Sequence, residues 1–508
     1  MKKRLDLGLY PILVLICIVY IIICFTGKEM PNEKSLFFCE VMLGIVAAVS
    51  LGIAYFCGER KLAIEKSFIF LIVTFGLVYF VTVPLFGVPD EINHYKRCFE
   101  ISEGNMISEH IGESGIGGNY LPEGLIPDAL SDKENIDYYN VLSSLNNKID
   151  YNEKCEYRFG NTALYAPFVY LPQTIGIFFA RLITDRTVCI AYAGRMTTFL
   201  FFAICCYFAI KNLKFGKLPY LAIILMPRTL SGAVSMSADT VTNAVVLLFV
   251  SYIVKYCYDT SLKEISKRDM SILAILTIEL SLCKIVYIPI CLLVFLLPSK
   301  LFKNKRIANG YKIVLVIVAI FINLIWLAIS TGFLVEFNAG VDSKAQVIYI
   351  LTHIFKYIVI ALETCIRGSW QWLAGMIGSY SGADMSLLLP VWSVIIYVIL
   401  LVMTMFMEKD SELINYKDNR IVKATAGGCF FAVIALTLTS LYVQWTPVAN
   451  NLILGVQGRY FIPLLPLIMV VLKDISIKKL QEIDRKYLYM MIVFMNMIVI
   501  IKQTSFYL

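Results

Sequence analysis

Apolar runs of about 20 residues, repeated along the whole chain, constrain this sequence more than any other feature, because each is long enough to cross a hydrocarbon core of roughly 30 Å. Runs of this kind are Leu9 to Thr26, Ser35 to Cys57, Ser67 to Phe86, Val188 to Ile210, Asp239 to Tyr256, Ile313 to Thr331, Leu387 to Met407, Ala424 to Val443 and Gly458 to Leu472. Shorter or interrupted runs lie at Leu218 to Val234, Ser271 to Leu297, Val347 to Leu362 and Tyr487 to Ile501. Hydrophobic residues make up 59% of the 508 and charged residues 16%, against about 25% charged in soluble domains. The expected fold is an all-α, polytopic integral membrane protein with about 11 to 14 transmembrane helices.

Charge orients it. Lys and Arg gather at Lys2 to Arg4, Arg60 to Lys66, Lys211 to Lys217, Lys255 to Arg268, Lys300 to Lys312 and Lys473 to Lys486, which the positive-inside rule assigns to the cytoplasm. Residues 87–160 carry 14 acidic against 6 basic side chains in a chain whose net charge is +8. That loop is therefore expected outside, with the N-terminus cytoplasmic and the protein in the cytoplasmic (inner) membrane. The first run is too long for a signal peptide and no small-residue cleavage site follows it. The chain reads as an N-terminal hairpin (1–66), a membrane domain (67–475) carrying the outer loop, expected to form short interfacial helices, and a final transmembrane segment (476–508). Two runs read as discontinuous: 161–183, with Pro167, Pro172 and Gly176, and 271–297, with Glu279 and Lys284 mid-run. Broken helices at membrane depth are tolerated where they line a cavity.

The chemistry-bearing residues cluster at three places. Asp90, Glu91 and His94 follow Pro89 at the mouth of the third run, where a new helix opening at Pro89 would put Asp90 and His94 on one face. A solvated helix start is the plain alternative. Cations at or within apolar runs are Arg195, Arg228, Lys284, Arg367 and Arg459; such charges default to functional candidates unless they snorkel. Arg195 and Arg228 fit either reading. Arg459, before Tyr460-Phe461-Ile462-Pro463, can fork two hydrogen bonds to a phosphate. Ser237 can cap a helix whose first turn holds Asp239. Asp90 and Glu91, with His94, could bind a divalent metal. Cys98 and Cys155 could form a bridge. Trp370, Trp372 and Trp445 read as an interfacial belt or as a sugar-stacking platform. No nucleotide-binding loop, HExxH, GxSxG or paired CxxC is present, and nothing points to nucleic acid.

The stretch Pro89-Asp90-Glu91-Ile92-Asn93-His94 resembles the leading motif of a bacterial membrane protein group, the domain-of-unknown-function 2142 family. Tyr165-Ala166-Pro167 to Pro172-Gln173, Met226-Pro227 to Asp239, Lys284 to Tyr287 and Gly458-Arg459-Tyr460 to Pro466 are similar to its later blocks, in the same order. That family is similar to the GT-C superfamily of membrane glycosyltransferases. The resemblance implies a lipid-linked (polyprenyl-phosphate) sugar as donor, membrane lipid and a cell-envelope glycan acceptor as partners, and a loop acid acting as base or metal ligand, at Asp90. In this reading Glu91 and His94 assist Asp90, while Arg459, Lys284, Arg228, Arg195, Asp239 and Tyr460 bind substrate. A transporter or flippase of an anionic lipid-linked precursor, and a noncatalytic membrane subunit of a polysaccharide assembly, are the alternatives.

Overall fold

A computed structural model describes residues 8–28, 33–112, 115–132, 134, 136–333, 339–381, 386–407, 419–475 and 477–508. The basic cluster Lys2 to Arg4 lies outside the described residues. Helices α1 (Tyr10–Phe25), α2 (Glu33–Glu59) and α3 (Ile64–Thr82) precede α4 (Glu91–Ser102). A region of short elements follows, with strands β1 (Glu109–Ile111), β2 (Ile116–Glu123) and β3 (Asp150–Arg158) and helices α5 (Tyr138–Ser143) and α6 (Gly160–Ala163). The remainder is α7 (Leu171–Arg181), α8 (Thr187–Asn212), α9 (Lys217–Ile224), α10 (Pro227–Ala233), α11 (Ala238–Tyr258), α12 (Lys267–Cys283), α13 (Ile288–Cys291), α14 (Lys305–Ser330), α15 (Ser343–Thr352), α16 (Ile354–Ile377), α17 (Val391–Phe406), α18 (Asn419–Gln444), α19 (Leu465–Leu472), α20 (Lys478–Gln481) and α21 (Arg485–Phe506).

Among the described residues seven helices are long and apolar enough to cross a membrane, or eight if α15 and α16, bent by 107°, make one span; four apolar segments are shorter. The protein is an α-helical membrane protein. Helix starts follow their caps: Ser237, Ser266, Asn304, Asp342 and Asp484 each accept a hydrogen bond from a backbone N–H of the first turn. In α11 and α21 the apolar stretch is 89% buried; these two form the centre, α11 against α8 and α12, α21 against α1 and α2. The residues set apart as 476–508 thus supply a central helix.

Run 271–297 breaks at Lys284, whose backbone is extended between α12 and a 3-10 turn. Residues 161–183 form only short pieces ending in α7, which at 11 residues is about 17 Å long and too short to span. The 87–160 region departs from the expected set of short helices, because β1, β2 and β3 make a three-stranded antiparallel sheet. Burial alternates along the evenly paired part of β3, with Cys155 and Tyr157 half-buried on one face and Lys154, Glu156 and Arg158 exposed on the other, beyond a register shift that separates them from Asp150. No Cys98–Cys155 bridge forms: both thiols are free, Cys98 buried on α4 and Cys155 paired in register with Leu121.

Candidate functional site

The turn between α3 and α4 is held in an unusual backbone shape. Phe86 and Asp90 both adopt left-handed conformations, with φ of 66° and 68°, which non-glycine residues occupy at a cost of about 1 to 3 kcal/mol. Asp90 is not inside the helix, as the sequence suggested, but is its N-cap; its side chain makes no capping bond and turns to Arg459 instead. The three neighbouring candidates therefore reach three separate partners. Asp90 meets Arg459, Glu91 meets Arg195, and His94 Nδ1 lies 2.7 Å from the Tyr170 hydroxyl.

Glu91 and Arg195 form a closed tie. Arg195 donates from Nε and Nη2 to the two Glu91 oxygens at 2.7 and 2.6 Å, and from Nη1 and Nη2 to the Val83 and Pro84 carbonyls at 2.9 and 2.7 Å. Glu91 also accepts the Met236 N–H at 3.2 Å. Both side chains are fully buried. A bidentate pair with its remaining polar groups satisfied joins α4, α8 and the end of α3, and offers nothing to a substrate.

The other charges meet across the chain. Arg459 donates from Nη2 to Asp90 Oδ2 at 2.7 Å and lies 3.4 Å through Nε from Asp239 Oδ2. Lys284 donates to Asp239 Oδ1 at 2.6 Å. Ser237 caps α11 by accepting the Asp239 N–H at 3.2 Å, so that helix start fixes the carboxylate from below. Aromatic faces wall the cations: Lys284 Nζ is 4.6 Å from the Tyr460 ring centroid and 5.4 Å from that of Tyr165, and Arg459 is 5.6 Å from Tyr460. Tyr460 is held through its carbonyl by the Tyr287 hydroxyl at 2.9 Å. Arg459 is anchored by its neighbour Gly458, whose backbone lies so close to the α16 backbone at Trp372 and Met376 that no side chain fits there.

Arg228, buried on α10, has no carboxylate partner among the described residues; its guanidinium lies over the Tyr380 ring at 5.9 Å. Its electrostatic neighbours include Arg459, Asp239 and Asp90. Three cations thus face two carboxylates. His94 adds no charge near neutral pH: burial pushes its imidazole down to about 4, with Asp90 and Asp239 opposing that shift and Arg459 and Lys284 adding to it. Net positive charge in a low-dielectric place favours an anion.

Metal binding fits these residues poorly. Glu91 is committed to Arg195, and a dication between Asp90 and Asp239 would face Arg459, Lys284 and Arg228; no group of three metal-ligating side chains gathers among the described residues. The charges of the cluster meet one another directly as ion pairs. Asp90 is the most accessible member, with 32% of its side chain exposed against 9% for Arg459. A cleft of about 380 Å³ lies instead at the other end of α4, between Ser102, Glu103 and α7 residues Thr174, Ile175, Phe178 and Phe179. The sequence marked Gln173, Tyr165 and Tyr287 only as parts of motifs and gave no sign of Tyr170, Tyr380 or Tyr507; the Gln173 amide nitrogen reaches the Met236 and Ser237 carbonyls at 3.4 and 3.5 Å. Trp372 packs against Phe461 in a tilted pair with ring centroids 5.2 Å apart, and Trp445 covers Gly455.

Fold and site together define a polytopic α-helical membrane protein with a largely buried, net-cationic charge cluster among its described residues. The match to the DUF2142 family, described as predicted membrane protein, runs over residues 72–468. The chain belongs to that family. No curated protein and no solved structure matches it.

Proposed function

We propose that this protein is a polyprenyl-phosphate-sugar-dependent glycosyltransferase acting at the outer face of the cytoplasmic membrane in assembly or modification of a cell-envelope glycan. The observation that carries the reading is Arg459 bridging Asp90 and Asp239 while Lys284 holds Asp239 from the other side. In the resting state Asp90 and Asp239 offset the charges of Arg459 and Lys284, and that of Arg228 is left over. An arriving phosphate takes over the Arg459 fork, helped by Lys284 and Arg228, and releases Asp90. Asp90 then accepts the proton of an acceptor hydroxyl as that oxygen bonds to the anomeric carbon, and the carbon–phosphate oxygen bond breaks with its electron pair on the phosphate. Glu91 and Arg195 act as positioning residues under this turn, and neutral His94 orients it. Membrane lipid, the prenyl-phosphate sugar and the glycan acceptor are its partners.

A flippase for an anionic lipid-linked precursor is the second reading, favoured by the helix break at Lys284, since broken helices are common at transporter sites. A noncatalytic membrane subunit is the third reading, in which Asp90 and Arg459 are far apart or face no common cavity; their contact supports transfer over it on the first count only. Purified protein in vesicles, supplied with a panel of prenyl-phosphate sugars and an oligosaccharide acceptor, tests the proposal. Glycosidic product supports transfer, whereas lipid movement across the vesicle without product supports the flippase.

A further inference from the structure

Tyr507 sits just beyond α21, more than 400 residues from the Asp90 turn in sequence, yet its hydroxyl donates to the Gly87 carbonyl at 2.5 Å. It is 2% exposed. The Tyr380 hydroxyl lies 2.6 Å from the Tyr507 hydroxyl. A phenol has one proton to give, and that of Tyr507 is committed to Gly87, so Tyr380 is the donor between them. Tyr380 in turn lies beneath the Arg228 guanidinium at 5.9 Å. The Tyr507 carbonyl accepts the Tyr138 N–H at 3.3 Å, and the Tyr138 hydroxyl donates to Thr82 at the end of α3 at 2.6 Å. Gly87 is built for this approach, because a Cβ there would stand 3.1 Å from the Tyr507 oxygen and 2.9 Å from the Pro84 ring. Tyr507 thus bonds directly into the turn at Gly87, one residue beyond left-handed Phe86 and three before left-handed Asp90, while Tyr380 and Tyr138 brace Tyr507 from either side. Such conformations persist only where the surroundings over-determine them.

We propose that Tyr507 and Tyr380 form a hydroxyl latch that holds the Asp90 turn in its left-handed shape, so that Tyr507 is a positioning residue acting through Asp90 on Arg459. The role of Asp90 as competitor for Arg459 rests on the reading above; the latch itself rests on the bonds just described. Tyr507→Phe keeps the ring and its packing and removes both hydroxyl bonds. Tyr380→Phe keeps the bond to Gly87 and removes only its support.

The test is titration of the full-length protein in detergent with farnesyl phosphate, each variant made with Asp90 present and in the Asp90→Asn background. With Asp90 present, Tyr507→Phe is expected to tighten binding about threefold, because a loosened Asp90 releases Arg459, and Tyr380→Phe to tighten it less. In the Asp90→Asn background neither change has an effect. General structural damage weakens binding in both backgrounds alike, and that result overturns the latch. Amide hydrogen exchange at Glu91 and His94, whose N–H groups bond the Val88 and Asp90 carbonyls at 3.1 Å, serves as a second readout. It is expected to rise at least about tenfold in Tyr507→Phe and less in Tyr380→Phe. Unchanged exchange in both overturns the latch. Absence of any farnesyl phosphate binding by the unaltered protein counts against the proposed function alone, and exchange then decides the latch.

Discussion

Arg459 Nη2 and Asp90 Oδ2 lie 2.7 Å apart although 369 residues separate them in the chain. One of the pair is nearly buried and the other is a third exposed, so an anion reaching the site meets the carboxylate as a competitor for the guanidinium. Asp90→Asn is therefore expected to tighten farnesyl phosphate binding by about tenfold, the worth of one charge-assisted hydrogen bond. Equilibrium titration of the purified variant checks the direction; weaker binding contradicts the competition.

Arg228 is the cation without a carboxylate partner among the described residues, and its charge is the one an anion can use without breaking an ion pair. Arg228→Gln is expected to lower farnesyl phosphate affinity about tenfold while leaving the thermal midpoint in place. Arg228→Lys keeps part of the affinity, since a point charge replaces a fork. The same titration, run beside a thermal melt, separates the two effects.

The Glu91–Arg195 tie behaves differently, since both side chains are fully buried. Arg195→Met leaves an unpaired carboxylate among apolar neighbours and is expected to destabilise by about 3 to 5 kcal/mol. Pairing it with Glu91→Leu removes both charges and restores part of the lost stability, since the Val83 and Pro84 carbonyls and the Met236 N–H still lose their partners. Fluorescence-detected size exclusion after heating ranks the three variants, and equal damage from the single and the double contradicts this account.

His94 makes stability fall on the acid side. Its folded imidazole titrates at about 4, against 6.5 when unfolded, so between those values the unfolded chain binds more protons. Stability contributed by neutral His94 is complete above about pH 6.5 and is lost progressively toward pH 4, by roughly 3 kcal/mol in all. The groups that tune it are Asp90, Asp239, Arg459 and Lys284, with Tyr165 and Tyr170 against the ring. His94→Gln is expected to flatten the thermal midpoint between pH 6.5 and 4.5.

Apolar run length marked the helices and interrupted charge marked the break at Lys284, because both signals are local. Ser237 as the cap over Asp239 was legible for the same reason. Adjacency misled at Asp90, Glu91 and His94: one left-handed residue sends three near neighbours to three partners, and the sequence carries no mark of that backbone shape. The strand β3 escaped the sequence reading because its alternation is short, with only Cys155 and Tyr157 half-buried among exposed polar residues. Tyr507 left no trace, since only the packing of α21 brings it to Gly87.

The most direct measurement is single-turnover sugar transfer from a prenyl-phosphate donor by purified, folded protein, with Asp90 intact and as Asp90→Asn. The account predicts transfer by the first and a loss of about a thousandfold or more in the second, at unchanged thermal midpoint and with the donor still bound. Full transfer by the Asp90→Asn protein would contradict it.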